Sequence, residues 1–195
     1  MASRRIGRHT AAASRRHLLV LALALVLGGA AAPGLEGADV LQARPRKAAA
    51  LLSRYELQVL DRVNLVRVRH GREPLLSSAG LTASAELHSA RMVARGFFEH
   101  EAPGEAAFWH RIERFYPSAG YEYWAVGENL AYGSPFLEAS EAMEEWLASG
   151  SHRRNLLWAR WREVGIAAVH VQSAPGAFED DPVTVITLDL GVRSG

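Results

Sequence analysis

The first apolar positions of the folded part of the chain recur at helical spacing. Ser53 and Glu56 have the spacing of a capping box, which predicts that a helix begins near Ser53 and ends before Gly71. A second helix is predicted from about Ser78 to Ala94, with Gly96 as its C-terminal stop. The two apolar stripes are Tyr55, Val59, Val63 and Val66, then Leu81, Ala85, His88 and Met92. A histidine on such a stripe, here His88, is expected to be packed and hydrogen-bonded.

Residues 97–133 show neither a helical nor a strand period, and we predict an irregular segment there. Its aromatics are first expected to belong to the core and, as an alternative, to wall a cleft. Ser134 and Pro135 look like an N-cap and a first helical position, so a third helix is predicted from Ser134 to Gly150. The aromatics are Phe97, Phe98, Phe108, Trp109, Phe115, Tyr116, Tyr121, Tyr123 and Trp124.

The last part of the chain has the β-branched and alternating pattern of strands. A short helical turn at residues 152–158 is followed by predicted strands at 164–171 and 183–192, joined by a hairpin loop over 173–182. The order is thus helices first and strands afterwards. This order favours an α+β fold with an antiparallel sheet.

The N-terminus has the pattern of an export leader. Residues 1–32 combine an arginine-rich start, an apolar run over 18–27 and small residues before Pro33. We predict a cleaved signal peptide, with Arg15 and Arg16 also resembling a twin-arginine signal, and an uncleaved N-terminal anchor as the alternative. Residues 33–50 are predicted to be a linker, and residues 51–195 the folded domain. Either reading places the domain outside the cytoplasm, secreted or in the cell envelope.

The charge balance and the lack of cysteine exclude several classes of function. The whole chain has a net charge of +1, but the residues after 32 carry 17 basic and 21 acidic side chains. A mildly acidic domain argues against nucleic acid as a partner. The chain has no cysteine, which excludes disulfides, thiolate metal sites and a cysteine nucleophile.

Three short segments bring reactive side chains to the ends of predicted elements. His100 follows the second helix, Glu128 and Asn129 end the aromatic stretch, and His152 follows the third helix. Two imidazoles and one carboxylate suit Zn²⁺ in an open site that also holds water. The same three groups would equally serve as a hydrogen-bonded network that pins loops to the sheet.

These segments also carry a family resemblance. Asn64-x-x-Arg67, Gly71-x-x-Pro74-Leu75, Phe98-x-His100, Gly127-Glu128-Asn129, His152-Arg-x-Asn155 and Val164-Gly165 occur in one order over about residues 55–191. In this respect the chain resembles bacterial members of the CAP superfamily, the cysteine-rich secretory, antigen-five and pathogenesis-related proteins, whose module is also called the SCP domain.

The resemblance implies a three-layer α-β-α sandwich with a central antiparallel sheet. It also implies a cleft built around His100, Glu128 and His152, with Asn129 and Ser149 beside them. Ser149 stands where many relatives have a second glutamate, so the site is expected to be a triad.

The resemblance further implies binding of a lipid or a similar apolar ligand in this cleft. Phe97, Phe98, Trp109, Tyr123 and Trp124 are the side chains that would line an apolar groove. One alternative is a zinc-dependent hydrolase in which His100, Glu128 and His152 hold the metal and Glu128 is the general base. Another is a module that binds proteins of the cell envelope. Zinc is therefore expected as a cofactor only if the hydrolase alternative holds. The expected partner is a lipid or an envelope protein.

Overall fold

The structure, a computed structural model, describes residues 24–25 and 52–195. The predicted leader at 1–32 and linker at 33–50 lie outside the described residues, apart from a two-residue strand, β1 (Ala24–Leu25). Within the described residues, no helix combines the length and the apolar run that a membrane-spanning helix needs.

The first two helices form where the apolar spacing predicts them. Helix α1 spans Arg54–Arg69, and the Ser53–Glu56 capping box is present in both directions. Gly71 follows with a φ of 67°, in the left-handed region that favours glycine. The short strand β2 (Leu76–Ser77) leads into α2 (Ala79–Arg95), which ends at Gly96, again left-handed.

The prediction of an irregular segment over 97–133 was wrong for residues 108–113 and 123–133. A six-residue helix, α3 (Phe108–Glu113), is followed by an eleven-residue strand, β3 (Tyr123–Gly133). Residues 124–132 of this strand are all buried. A strand that is covered on both faces has no polar face, so it lacks the alternation by which strands are recognised.

The third predicted helix begins later than expected. Helix α4 spans Ala139–Ala148, and Glu138, not Ser134, is its N-cap, in a capping box with Glu141. Helix α5 (Gly150–Leu156) is close to the predicted turn. Strands β4 (Glu163–Val171) and β5 (Val183–Ser194) confirm the C-terminal pair, with a 3-10 turn at Gly176–Phe178 between them. Because β3 precedes α4, the predicted order of helices before strands was wrong.

The strands form one sheet in the order β1-β3-β5-β4-β2. The long strand β5 lies at its centre and pairs antiparallel with both β3 and β4. Only the two-residue β2 pairs parallel, with β4. In this register Glu128 of β3 lies opposite Asp189 of β5, which in turn lies opposite Gly165 of β4.

Helices cover both faces of the sheet, which confirms the α-β-α sandwich. Helices α2 and α3 pack on one face, where the buried side chains include Leu81, Ile112 and Trp124. Helices α1, α4 and α5 pack on the other, around Val63, Trp146 and Leu156. Neighbouring residues of a strand point to opposite faces, so Glu128 faces the α2 layer and Asn129 faces the α5 layer.

Candidate functional site

Glu128 is the centre of a polar cluster beneath α2. Its side chain is fully buried, and its two oxygens have different partners. His100 Nδ1 lies 2.6 Å from Oε1, while Arg111 donates to Oε2. His100 comes from the loop after α2 and Arg111 from α3, so three separate elements meet at one carboxylate.

A second buried carboxyl shares this arginine. Asp189 Oδ1 lies 3.5 Å from Arg111 Nη2, and the Asp189 side chain is fully buried. Arg111 Nε also donates to Ser84 Oγ at 3.2 Å, and its Nη1 to the His100 carbonyl at 3.3 Å. Two acids and one strong base thus lie under α2, so the cluster holds one carboxyl more than Arg111 can neutralise.

The pKa values of the two buried carboxyls shift in opposite directions. Burial alone would raise the pKa of Glu128, but Arg111, His88 and His100 outweigh it and hold that pKa well below its usual value. Burial raises the pKa of Asp189 well above its usual value, and the Glu128 charge adds to this against the opposing effect of Arg111. Of the two carboxyls, Glu128 is therefore the one that more readily holds the negative charge, and Asp189 the one that more readily keeps a proton.

His88 completes the cluster from the α2 stripe. Its Nε2 donates to the Glu99 carbonyl at 2.9 Å and lies 3.9 Å from Glu128 Oε2. Burial lowers the pKa of His88 to about 4, although Glu128 acts in the opposite direction. The expectation of a packed, hydrogen-bonded histidine is confirmed, and the ring is neutral at pH 7.

Because His88 is buried in its neutral form, the free energy of unfolding depends on pH. The unfolded chain binds a proton at His88 near pH 6.5 and the folded chain only near pH 4, so stability is lost as the pH falls through this window. Relative to His88→Gln, the wild type should lose about 3 kcal/mol between pH 6.5 and pH 4. Urea unfolding at several pH values measures this difference. His110→Gln, at an exposed position, is the control. Parallel curves for wild type and His88→Gln would contradict the expectation.

His100 has a ring nitrogen that the described part of the chain leaves without a hydrogen-bond partner. With Nδ1–H donated to the Glu128 carboxylate, the neutral ring keeps its lone pair on Nε2, which is buried without a hydrogen-bond partner among the described residues. A carboxylate behind one nitrogen fixes the orientation of the ring. His100 Nε2 is therefore the atom of the cluster that is best prepared to accept a hydrogen bond from a ligand.

The other predicted residues lie around α5. Asn129 Nδ2 donates to the His152 carbonyl at 3.2 Å, and Asn155 Nδ2 donates to Asn129 Oδ1 at 2.9 Å. The backbone of α5 therefore lies on the face of the sheet opposite Glu128. Ser149 caps the junction of α4 and α5, with its Oγ 3.0 Å from Ser151 Oγ. His152 is buried within this layer.

The chain matches the family model described as CAP, cysteine-rich secretory protein family, over residues 60–183. The chain belongs to the CAP family. The match covers the elements from within α1 to the start of β5, and so includes every residue of the polar cluster except Asp189.

Bacterial relatives share this CAP domain. The uncharacterized protein YkwD of Bacillus subtilis is 30% identical over 118 residues, which cover 60% of this chain and 44% of that protein. An extracellular protein containing a SCP domain from Bacillus anthracis is 24% identical with a TM-score of 0.52, over 70% of this chain and 39% of that one. The chain thus spans less than half the length of these Bacillus relatives.

A third relative is similar in size to the domain. An outer surface protein of Borrelia burgdorferi superposes with a TM-score of 0.57 over 74% of this chain and 97% of its own, at 16% identity. At this identity the likeness concerns the fold. It shows that the CAP sandwich described above is found as almost an entire protein chain.

The donor set of this CAP domain does not fit zinc. Among the residues that the structure describes, no three His, Asp or Glu side chains are arranged to hold a metal ion. Both Glu128 oxygens are already bound, by His100 and Arg111. With its pKa well below the usual value, Glu128 is also a weak general base, because a base works best when its pKa is near the operating pH.

A pocket opens beside the His100 loop of the CAP domain. Its volume is about 420 Å³, which is within the range of small-molecule sites. Phe98 and Tyr132 form part of its wall, with ring centroids 4.7 Å apart. The lining residues are Gly96, Phe97, Phe98, Glu99, Tyr132, Gly176, Ala177 and Glu179.

The five aromatics expected to line an apolar groove do not lie together. Phe97 and Phe98 belong to the cluster that walls this pocket. Trp124 and Trp109 pack with α3, and Tyr123 packs against the opposite layer. The groove prediction is therefore met by two of the five residues, and the core interpretation describes the others.

Two members of the polar cluster were missed by the sequence reasoning. Asp189 had a signal, because it is an acid at an inward position in residues 183–190, which are otherwise apolar or threonine. Arg111 had none, since it looks like any arginine of a short helix. His88 was noticed, but nothing in the sequence placed it near Glu128.

Proposed function

We propose that this protein is an extracytoplasmic binding protein that takes a lipid or a similar apolar ligand in the pocket beside His100. The observation that carries the proposal is the pocket itself, about 420 Å³ with phenylalanine and tyrosine walls. The apolar walls would bind an acyl or ring system of the ligand.

The location outside the cytoplasm is part of this proposal. It is supported by the leader-like sequence of residues 1–32. It is also supported by the descriptions of two structural relatives, one an extracellular protein and the other an outer surface protein. The zinc-hydrolase alternative is disfavoured by the donor set described above, and the envelope-interaction alternative stays a prediction that no observation tests.

Filling the pocket tests the proposal without disturbing the core. Ala177 lies on the pocket wall with an exposed side chain, so Ala177→Trp should occupy the volume that an apolar ligand needs. Titration with a fluorescent fatty acid should show saturable binding by the wild type and at least tenfold weaker binding by Ala177→Trp.

The matched control is Ala119→Trp, which adds the same side chain at an exposed position of another loop. Ala119→Trp should bind like the wild type. The proposal fails if the wild type shows no saturable binding, or if Ala177→Trp binds as tightly as the control.

A further inference from the structure

A second pocket, on the other side of the sheet, is lined by arginines. It has a volume of about 430 Å³ and lies between the end of α1 and the end of α5. We call it the arginine pocket; its residues are Arg72, Arg153, Arg154, Leu157, Trp158 and Ala159. Three cations face one volume, and the pocket contains no acidic side chain. It shares no residue with the pocket beside His100.

A buried arginine adds its charge from below. Arg67 is fully buried, and its guanidinium donates to the carbonyls of Leu156 at 2.6 Å and Trp158 at 3.2 Å. Arg72 Nε donates to the carbonyl of Leu157 at 2.9 Å. Two arginines thus hold the backbone of residues 156–158, which forms one wall of the pocket.

Among the residues that the structure describes, these charges have no acidic partner. Within residues 52–195, no carboxylate pairs with Arg67, Arg72, Arg153 or Arg154, and Arg67 Nη2 is buried without a hydrogen-bond partner. Burial, together with the nearby charges of Arg162 and Arg72, lowers the pKa of Arg67 to about 10. The positive charges of Arg162 and Arg72 thus repel the buried Arg67 cation. This part of the domain is locally basic, although the domain as a whole is mildly acidic.

We propose that the arginine pocket binds the phosphate group of an organic phosphate the size of a glycerol phosphate or a sugar phosphate. Guanidinium groups from separate parts of the backbone suit the several acceptor oxygens of a phosphate. The half-buried Trp158 ring, held edge-on against Trp161 at 4.4 Å, offers a flat wall for the organic part. The volume exceeds what a bare phosphate fills and accommodates such a residue.

Calorimetric titration of the full chain with glycerol 3-phosphate tests the proposal. Arg153 and Arg154 are exposed, so Arg153→Gln/Arg154→Gln should fold like the wild type, which a thermal melt checks. We expect saturable binding by the wild type that weakens with salt, and at least tenfold weaker binding by the double variant. Arg54→Gln/Arg114→Gln removes the same charge away from the pocket and should change the affinity less than twofold.

Vesicles distinguish the two sources of such a phosphate. If the source is a lipid headgroup, phosphatidylglycerol vesicles should bind the wild type and compete with glycerol 3-phosphate for it. The same vesicles should not bind Arg153→Gln/Arg154→Gln. If the source is a soluble ester, the vesicles should not compete. The proposal is overturned if the wild type shows no saturable glycerol phosphate binding, or if the control pair loses as much affinity as the pocket pair.

Discussion

Removing both acids that face Arg111 is expected to destabilise the domain by about 3–5 kcal/mol. In Glu128→Gln/Asp189→Asn, the Arg111 side chain keeps its charge within a nearly buried site and loses both acidic partners. An uncompensated charge at such a site is among the costliest single defects in a folded protein. Urea unfolding at pH 7 measures the free energy of unfolding directly.

The single variants separate the roles of the two carboxyls. Asp189→Asn should change stability by less than about 1 kcal/mol, because burial raises the pKa of Asp189 and so favours its neutral form, to which an amide is similar. Glu128→Gln should cost an intermediate amount, because Asp189 can then ionise against Arg111.

A reversed order would contradict this assignment. If Asp189→Asn alone cost 3 kcal/mol or more, the charge would lie on Asp189 and not on Glu128. Glu122→Gln, at an exposed position, controls for the loss of one surface charge and should change stability by at most about 0.5 kcal/mol.

Gly165→Ala is expected to cost at least about 3 kcal/mol, for a steric reason. A Cβ atom at Gly165 would lie 2.0 Å from the Leu81 carbonyl carbon and 2.1 Å from the Thr82 nitrogen. Both are backbone atoms of α2, so the helix has to move away from the sheet. The same helix carries Ser84 and His88, so the polar cluster would be disturbed as well.

The matched control is Gly150→Ala, also a glycine-to-alanine change. Gly150 is the first residue of α5, and its new Cβ would meet only the end of the flexible Arg154 side chain at 3.4 Å. Stability should change by at most about 1 kcal/mol, since alanine favours the helix. Equal midpoints of urea unfolding for the two variants would contradict the prediction, because they would show that α2 tolerates a Cβ atom at position 165.

Local signals in the sequence predicted the features that are themselves local. The Ser53–Glu56 capping box and the glycine stops at Gly71 and Gly96 depend on a few neighbouring residues, and all three are present. The pair Ser134–Pro135 gave a false helix start, because the same residues are equally common in turns.

Strand β3 could not be recognised in this way. Its polar residues Glu128 and Asn129 point into opposite layers, and each is satisfied by partners that are distant in sequence. Read locally, they interrupt the apolar pattern, and Glu128 was marked only as a reactive side chain at the end of a segment and by the family resemblance. The cluster of Glu128 with Arg111 and Asp189 depends on sheet register and on the placement of α3, which no short window of sequence contains.

The central position of β5 has a consequence for the newly made polypeptide. Both long neighbours of this strand, β3 and β4, precede it in the chain. While Val183–Ser194 is still within the ribosome, β3 and β4 have no strand between them, and both layers lack their shared surface. The nascent chain therefore stays without its sheet until synthesis has passed residue 194, and then closes it through contacts distant in sequence, a slow step. A polypeptide of this kind remains open during synthesis, so the emergence of its last strand decides when the domain can fold.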